Sequence, residues 1–170
     1  MINDDLKPQC VVVTGSDGYI GRHLVQSMEN DGDTIFQLNH KDGDIADESL
    51  ITDVLGDLQP SLVYHLAGIT GVVESWKQPS EFYRVNVLGV QRVLEYCKNS
   101  GARLIFVSAY LYDGKIVGPV HEGHPISPMN PYAHSKFLGE ELHDFQTGQI
   151  VGLVLKYAGL FSNFLFQTFS

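Results

Sequence analysis

Five short, mostly apolar runs recur along the chain and predict buried strands. Such runs are typical of strands that are covered on both faces of a parallel sheet, because neither face needs regular polar positions. The first run leads directly into Thr14 and Gly15. The predicted strands cover residues 10–13, 34–38, 62–66, 104–108 and 150–155.

Between these runs lie stretches whose apolar residues recur at helical spacing, as in Ile20, Leu24, Val25 and Met28. The predicted helices cover residues 19–30, 48–58, a long stretch from 79 to 100, and 132–145. Strands that alternate with helices imply right-handed crossovers. We therefore expect an α/β fold, a doubly wound parallel sheet with helices on both faces.

Composition narrows the function classes. The chain has 170 residues, 44% of them hydrophobic, which favours a single domain with a substantial core. Its formal net charge is −9 and no basic cluster stands out, which argues against nucleic acid or an anionic membrane as a partner. Two distant cysteines, Cys10 and Cys97, fit a reducing, cytoplasmic location. The apolar stretch 150–166 is interpreted as a strand and a tail, because it is short for a membrane span and Lys156 lies near its centre.

Three glycines at three-residue intervals follow the first strand. Gly15 permits a tight turn, Gly18 lets backbone amides approach a pyrophosphate, and Gly21 lets the next helix pack close to the sheet. Because the pattern lies between a predicted strand and a predicted helix, it indicates a dinucleotide-binding turn.

The end of the second strand bears on the choice of cofactor. An acid that binds the adenosine ribose is usual there, but this chain has Asn39, followed by His40 and Lys41. Asparagine can bond a ribose hydroxyl without repelling a 2′-phosphate, and His40 or Lys41 would attract one. NAD and NADP therefore both remain candidates.

Tyr132 and Lys136 are four residues apart and share one face of a predicted helix. A nearby ammonium favours the tyrosinate, so we expect the pKa of Tyr132 to be lowered and its phenol to act as a general acid/base. Ser108 ends the fourth strand, where a hydroxyl faces the ligand crevice of a doubly wound sheet and can bind a substrate oxygen.

Several segments together resemble the extended short-chain dehydrogenase/reductase family of nucleotide-sugar epimerases, dehydratases and reductases. They occur in family order over roughly residues 10–145: TGSDGYIG (14–21), GDIAD (43–47), HLAG (65–68), VNVLG (85–89), SAYLY (108–112) and PYAHSK (131–136). The resemblance implies the Rossmann-like form of the doubly wound sheet, NAD or NADP as cofactor, and a nucleotide sugar as substrate. It does not separate epimerase from dehydratase or reductase.

The resemblance also implies roles for individual residues. Those implied to bind the dinucleotide are Gly15, Gly18, Tyr19, Ile20, Gly21, Asp44, Ile45, Leu66, Ala67, Gly68, Asn86, Tyr132 and Lys136. Residues 15–21 would hold the pyrophosphate, residues 44–45 the adenine and residues 66–68 the dinucleotide after the third strand. Ser108, Tyr132 and Lys136 would be catalytic, with Lys136 also binding the nicotinamide ribose.

The pattern departs from the family after about residue 145. The residue expected beside the nicotinamide is small, Ala158 or Gly159, and the family's C-terminal substrate lobe is not found. We expect the apolar tail 160–169 to pack back on the sheet or against a partner chain, including a second copy. Two functions follow: an NAD(P)-dependent epimerase, dehydratase or reductase, or a cofactor-binding module without turnover.

The remaining chemistry-bearing residues favour ordinary roles. His65 lies within a predicted strand and is expected to pack there. His121 and His124 lack the cysteine or acidic partners of a zinc site, so no metal is expected. Trp76 is placed in the loop after the third strand, where contact with substrate or cofactor and simple packing are both open.

Overall fold

Five parallel strands form one sheet in the computed structural model of the chain. The structure describes residues 10–30, 32–56, 58–112, 121, 123–146 and 152–155. The strands are β1 (Cys10–Thr14), β2 (Thr34–Leu38), β3 (Leu62–His65), β4 (Arg103–Val107) and β5 (Gly152–Leu155).

The strand order is β2-β1-β3-β4-β5, with every neighbouring pair parallel. Val12 of β1 pairs with Phe36 of β2 on one side and with Val63 of β3 on the other. The chain thus leaves β1 toward one edge of the sheet and returns to its other side for β3. This reversal opens a crevice at the carboxyl ends of β1 and β3.

The helices are α1 (Tyr19–Asn30), α2 (Glu48–Leu55), α3 (Val72–Lys77), α4 (Pro79–Tyr83), a π-helical segment (Arg84–Leu88), α5 (Gly89–Ser100) and α6 (Pro131–Gln146). They cover both faces of the sheet. Val11 and Val13 cluster with Val25 of α1 on one face, whereas Val12 belongs to the cluster of Leu94 of α5 on the other. The predicted doubly wound α/β fold is confirmed, because alternate β1 residues are buried against opposite helical layers.

Two predicted helices and one predicted loop differ from the structure. α2 ends at Leu55 and not at residue 58, because Gly56 turns the chain with φ +44° and its N–H closes on the Thr52 carbonyl. The helix predicted from 79 to 100 contains the π-helical segment, and the segment around Trp76 is not a loop but α3.

No helix in the described part of the chain is long and apolar enough to cross a membrane. Both cysteines, Cys10 and Cys97, are free thiols. The predictions for Lys156, for Ala158 or Gly159 and for the apolar tail 160–169 lie outside the described residues.

Candidate functional site

A cleft of about 560 Å³ lies at the carboxyl ends of β1, β2 and β3. It occupies the crevice that the reversal of strand order creates. Its lining includes eight residues predicted to bind a cofactor: Gly15, Gly18, Asn39, Asp44, Ile45, Leu66, Ala67 and Gly68.

Backbone atoms meet closely at the glycine turn. Gly15 has φ +69°, and a Cβ there would lie 2.7 Å from the Ala67 nitrogen. Its N–H donates to the Leu38 carbonyl at 2.7 Å, which fastens the turn to the end of β2. At Gly21 a Cβ would lie 2.8 Å from the Ser16 Cα, so only glycine lets α1 start this close to β1.

Two predicted pyrophosphate residues, Tyr19 and Ile20, stand apart from the cleft lining. Tyr19 begins α1 and is 71% exposed, with its ring 4.9 Å from that of His23 between centroids. Gly21 lies behind the turn, where it makes room for backbone. For these residues, contact with a dinucleotide stays a prediction.

The loop after β2 closes one end of the cleft with its own hydrogen bonds. The Asn39 N–H donates to an Asp42 carboxylate oxygen at 2.8 Å, and the Asn39 side-chain oxygen accepts from the Lys41 N–H at 3.1 Å. His40 Nδ1 lies 2.9 Å from a carboxylate oxygen of Asp17 in the glycine turn. The sequence motifs do not single out Asp17. Its carboxylate lies next to His40, where a cofactor phosphate was expected to bind.

Arg84 binds two acidic residues in the lining of the cleft. The Arg84 guanidinium bonds both Asp44 and Glu81, and both acids line the cleft. These hydrogen bonds lower the pKa of Asp44 and of Glu81, so both stay ionised. The second Asp44 oxygen accepts from the Ala46 N–H at 2.9 Å. Both Asp44 oxygens are thus engaged within the protein.

Thr14 connects two strand ends beneath the cleft. Its hydroxyl lies 2.8 Å from Nδ1 of His65 and accepts from the Ala67 N–H at 3.2 Å. His65 is fully buried, as predicted, and burial lowers its pKa to about 3, with a smaller contribution from the charge of Lys136. The imidazole is therefore neutral at ordinary pH and fixes the peptide that follows β3.

Asn86 joins the cleft loop to α6 from within the π-helical segment. Its side-chain oxygen accepts from the Ile69 N–H at 2.9 Å, and its amide donates to the Ile69 carbonyl and to Ser135 Oγ, both at 3.0 Å. A Cβ on Gly68 would lie 2.8 Å from the Asn86 oxygen and 3.9 Å from Lys136 Nζ. Gly68, Asn86 and Lys136 therefore converge at the end of the cleft opposite to β2.

The three predicted catalytic residues have different surroundings. Ser108 follows β4, and its buried hydroxyl has no hydrogen-bond partner among the described residues. Tyr132 lies in the first turn of α6, with its ring edge-on to Phe82 at 6.1 Å between centroids. Lys136 is buried one helical turn later, with Nζ 4.3 Å from the centre of the Phe106 ring.

The expected lowering of the pKa of Tyr132 by Lys136 is wrong for this structure. Burial raises the pKa of Tyr132, because it disfavours the phenolate. Burial also lowers the pKa of Lys136 to about 7, which the buried Glu140 opposes. Desolvation of the phenolate therefore decides the direction of the shift at Tyr132.

The site fits a dinucleotide by its shape and its polar atoms. Gly15 leaves space next to the Ala67 backbone that a side chain would fill, and the buried Ser108 hydroxyl lacks a partner among the described residues. Phosphates are bound in this way by backbone at a strand-to-helix turn. The model of the NAD dependent epimerase/dehydratase family matches residues 11–168. The chain belongs to this family.

Two bacterial proteins are similar to most of this chain. The spore coat polysaccharide biosynthesis protein SpsK of Bacillus subtilis is 32% identical over 78% of this chain and 47% of its own length. A UDP-glucose 4-epimerase of Rhizobium leguminosarum bv. trifolii is 31% identical over 88% of this chain and 51% of its own. The chain thus spans about half the length of the curated relatives it matches.

A solved family structure has the same fold. The UDP-glucose 4-epimerase from Brucella ovis in complex with NAD superposes with a TM-score of 0.80 and 26% identity. The match covers 87% of this chain and 51% of that one.

The remaining candidates do not add a second centre. No group of three or more potential metal ligands occurs within the part of the chain that the structure describes. The rings of His121 and His124 lie 3.8 Å apart between centroids at a tilt of 45°, and the His124 ring bonds the backbone of His121. Trp76 is 63% exposed on α3 and does not line the cleft.

Proposed function

We propose that the cleft binds NAD and that this chain carries the cofactor half of an epimerase, dehydratase or reductase that acts on a nucleotide-activated sugar. One observation carries the proposal. The same cleft begins at a backbone cradle suited to phosphate and ends at Gly68, where a Cβ would lie 3.9 Å from the Lys136 amine. The relatives named above as UDP-glucose 4-epimerases support the substrate class.

In this proposal the hydroxyls of Ser108 and Tyr132 act on the oxygen of the reacting sugar carbon. NAD, when bound, supplies the hydride acceptor for the sugar carbon. Tyr132, as its phenolate, takes up the proton of the hydroxyl group on that carbon, and Ser108 donates a hydrogen bond to the oxygen that becomes a carbonyl. Because burial opposes both charged forms, Tyr132 depends on a protonated Lys136 to lose its own proton.

Charge at the adenosine end favours NAD over NADP. The ionisable residues that line the cleft are three acids, Asp17, Asp44 and Glu81, and His40, which is already paired with Asp17. A 2′-phosphate would approach Asp17 and compete with it for His40. Like charges at close range disfavour this arrangement, so we expect NAD to bind more tightly.

Titration calorimetry with NAD and NADP tests the binding half of the proposal. We expect tighter binding of NAD, and we expect Asp17→Asn to reduce the preference by about tenfold, because one repulsive charge is removed. Asp53→Asn is the control, since it makes the same charge change on an exposed part of α2 outside the cleft lining. Failure to bind either dinucleotide, or a preference for NADP, would overturn this assignment.

Turnover is tested separately with a panel of UDP- and dTDP-sugars, by following sugar conversion and the absorbance of reduced cofactor. We expect Tyr132→Phe to abolish conversion and Tyr83→Phe to preserve it, since Tyr83 is half-buried outside the cleft lining and its hydroxyl lies 3.1 Å from Nδ1 of His134. The alternative is a cofactor-binding module without turnover. NAD binding without conversion of any sugar would support the module and contradict the enzyme.

A further inference from the structure

Phe106 brings an aromatic face to the buried amine of Lys136. The ring is completely buried on β4, and Nζ of Lys136 lies 4.3 Å from its centre. Gly139 of α6 makes room for the ring, because a Cβ there would lie 3.0 Å from the Phe106 Cζ. The face of a benzene ring attracts a cation and is indifferent to a neutral amine.

The surroundings of this amine otherwise provide little compensation for a buried charge. Within the described ranges, Lys136 forms no ion pair. The titratable groups around the ring and the amine are His65 on β3 and Tyr132 and Glu140 on α6. His65 is neutral, and its ring stacks on Phe106 at 5.8 Å between centroids, while Glu140 is buried one helical turn beyond the lysine.

We propose that Phe106 is a positioning residue for Lys136, whose ring face holds the charged amine at the cleft end of α6 by a cation–π contact. The sequence motifs do not indicate this role, because Phe106 is one of several apolar residues in a predicted strand. The ring and the buried Glu140 carboxyl together oppose the desolvation that lowers the pKa of Lys136 to about 7.

Fluorinated phenylalanines test the contact without changing the shape of the core. Site-specific incorporation of 4-fluoro- and then 3,4,5-trifluorophenylalanine at position 106 withdraws charge from the ring face in steps. We expect the titration midpoint of Lys136, measured by NMR on ¹³Cε-lysine protein, to fall stepwise by about one pH unit in all. Lys136→Met identifies the resonance, because it is missing from that spectrum.

Phe82 provides the matched control. It is also buried, but its aromatic neighbour is Tyr132, edge-on. Trifluorophenylalanine at position 82 should leave the Lys136 midpoint unchanged. A purely structural role for Phe106 predicts no ordered response to fluorination, so a constant midpoint across the series at position 106, or an equal shift from position 82, would overturn the proposal.

A functional consequence rests on the proposed NAD site, whereas the NMR titration does not. If the charged amine binds the nicotinamide ribose, NAD affinity should decline as pH rises through the Lys136 midpoint. Fluorination at position 106 should then move this decline to lower pH by the same amount. Absence of NAD binding would count against the proposed function alone. If the Lys136 midpoint shifts but the pH dependence of NAD affinity does not, Phe106 has no role in NAD binding.

Discussion

The two ends of the cleft are built from different materials. At the glycine turn the fit is between backbone and backbone, and Gly15 and Gly21 serve by lacking a side chain. At the opposite end the fit is between buried side chains, with Asn86, Phe106 and Lys136 contributed by three elements. The first end is contained in one short segment of sequence. The second exists only when distant segments pack together.

The two ends also differ in solvation. The His40–Asp17 pair at the glycine turn has side chains that are 76% and 39% exposed, so solvent and salt weaken it. Lys136, Asn86 and His65 are buried, where each polar group depends on its protein partners. Substitutions should therefore reveal steric constraints at one end and hydrogen-bonding or protonation constraints at the other.

The steric half of the comparison is tested by Gly15→Ala with Gly101→Ala as its control. Both glycines have nearly the same positive φ, +69° and +73°, but only Gly15 faces backbone within 4 Å. We expect Gly101→Ala to lower the free energy of unfolding by about 1 kcal/mol from backbone strain alone. Gly15→Ala should cost about 3 kcal/mol more, because Ala67 has no room to shift. Urea denaturation measures both, and equal losses would contradict a steric role for the turn.

The hydrogen-bonding half is tested by Asn86→Ala. It leaves the Ile69 peptide and Ser135 without their partner, so we expect a loss of about 2 kcal/mol in the free energy of unfolding and faster hydrogen exchange at Ile69. Asn130→Ala is the control. Its side chain accepts one hydrogen bond, from the Ala133 N–H at the start of α6, and should cost about 1 kcal/mol. An Asn86 effect no larger than that of Asn130 would mean that the loop does not depend on the π-helical segment.

The protonation constraints at the buried end of the cleft are tested at His65, where the effect on the free energy of unfolding depends on pH. The folded-state pKa of about 3 lies below the ordinary value of 6.5, so the unfolded chain binds the extra proton first. His65 therefore contributes stability above about pH 6.5 that is lost as the pH falls toward 3, with a slope of at most about 1.4 kcal/mol per pH unit. His65→Asn should remove this part of the acid slope in denaturation series.

His23→Asn controls for the loss of a histidine, because His23 is exposed and bonds only the Tyr19 carbonyl among the described residues. Its acid slope should match that of the unsubstituted protein. If His65→Asn also leaves the slope unchanged, the buried imidazole does not couple folding to pH.

Much of the fold could be predicted from local pattern. α1 was predicted over 19–30 and has these bounds, because its apolar stripe and the glycine before it are local features. The six-residue α3 was not predicted, since it has no complete apolar stripe and Trp76 on it is exposed. The π-helical segment was also missed, because no local pattern signals it; within it, Asn86 bonds the distant Ile69 and Ser135.

The candidate site divides in the same way. Spacing alone indicated the glycine turn and the Tyr132–Lys136 pair, because both arise from neighbours on one turn or one helix face. The sequence motifs did not indicate Asp17 as the partner of His40 or Arg84 as the partner of Asp44, since each ion pair joins two separate segments of the chain.

By itself, the sequence determined the doubly wound sheet, the backbone cradle after β1 and the identity of the candidate catalytic residues. The alternation of apolar strands with helices, the glycine spacing and the helical periodicity are all local properties of the sequence. Only the tertiary structure decided their charge states. Burial is a property of the packed chain, and it raises the pKa of Tyr132 and lowers that of Lys136. The same packing brings the Phe106 ring against the Lys136 amine.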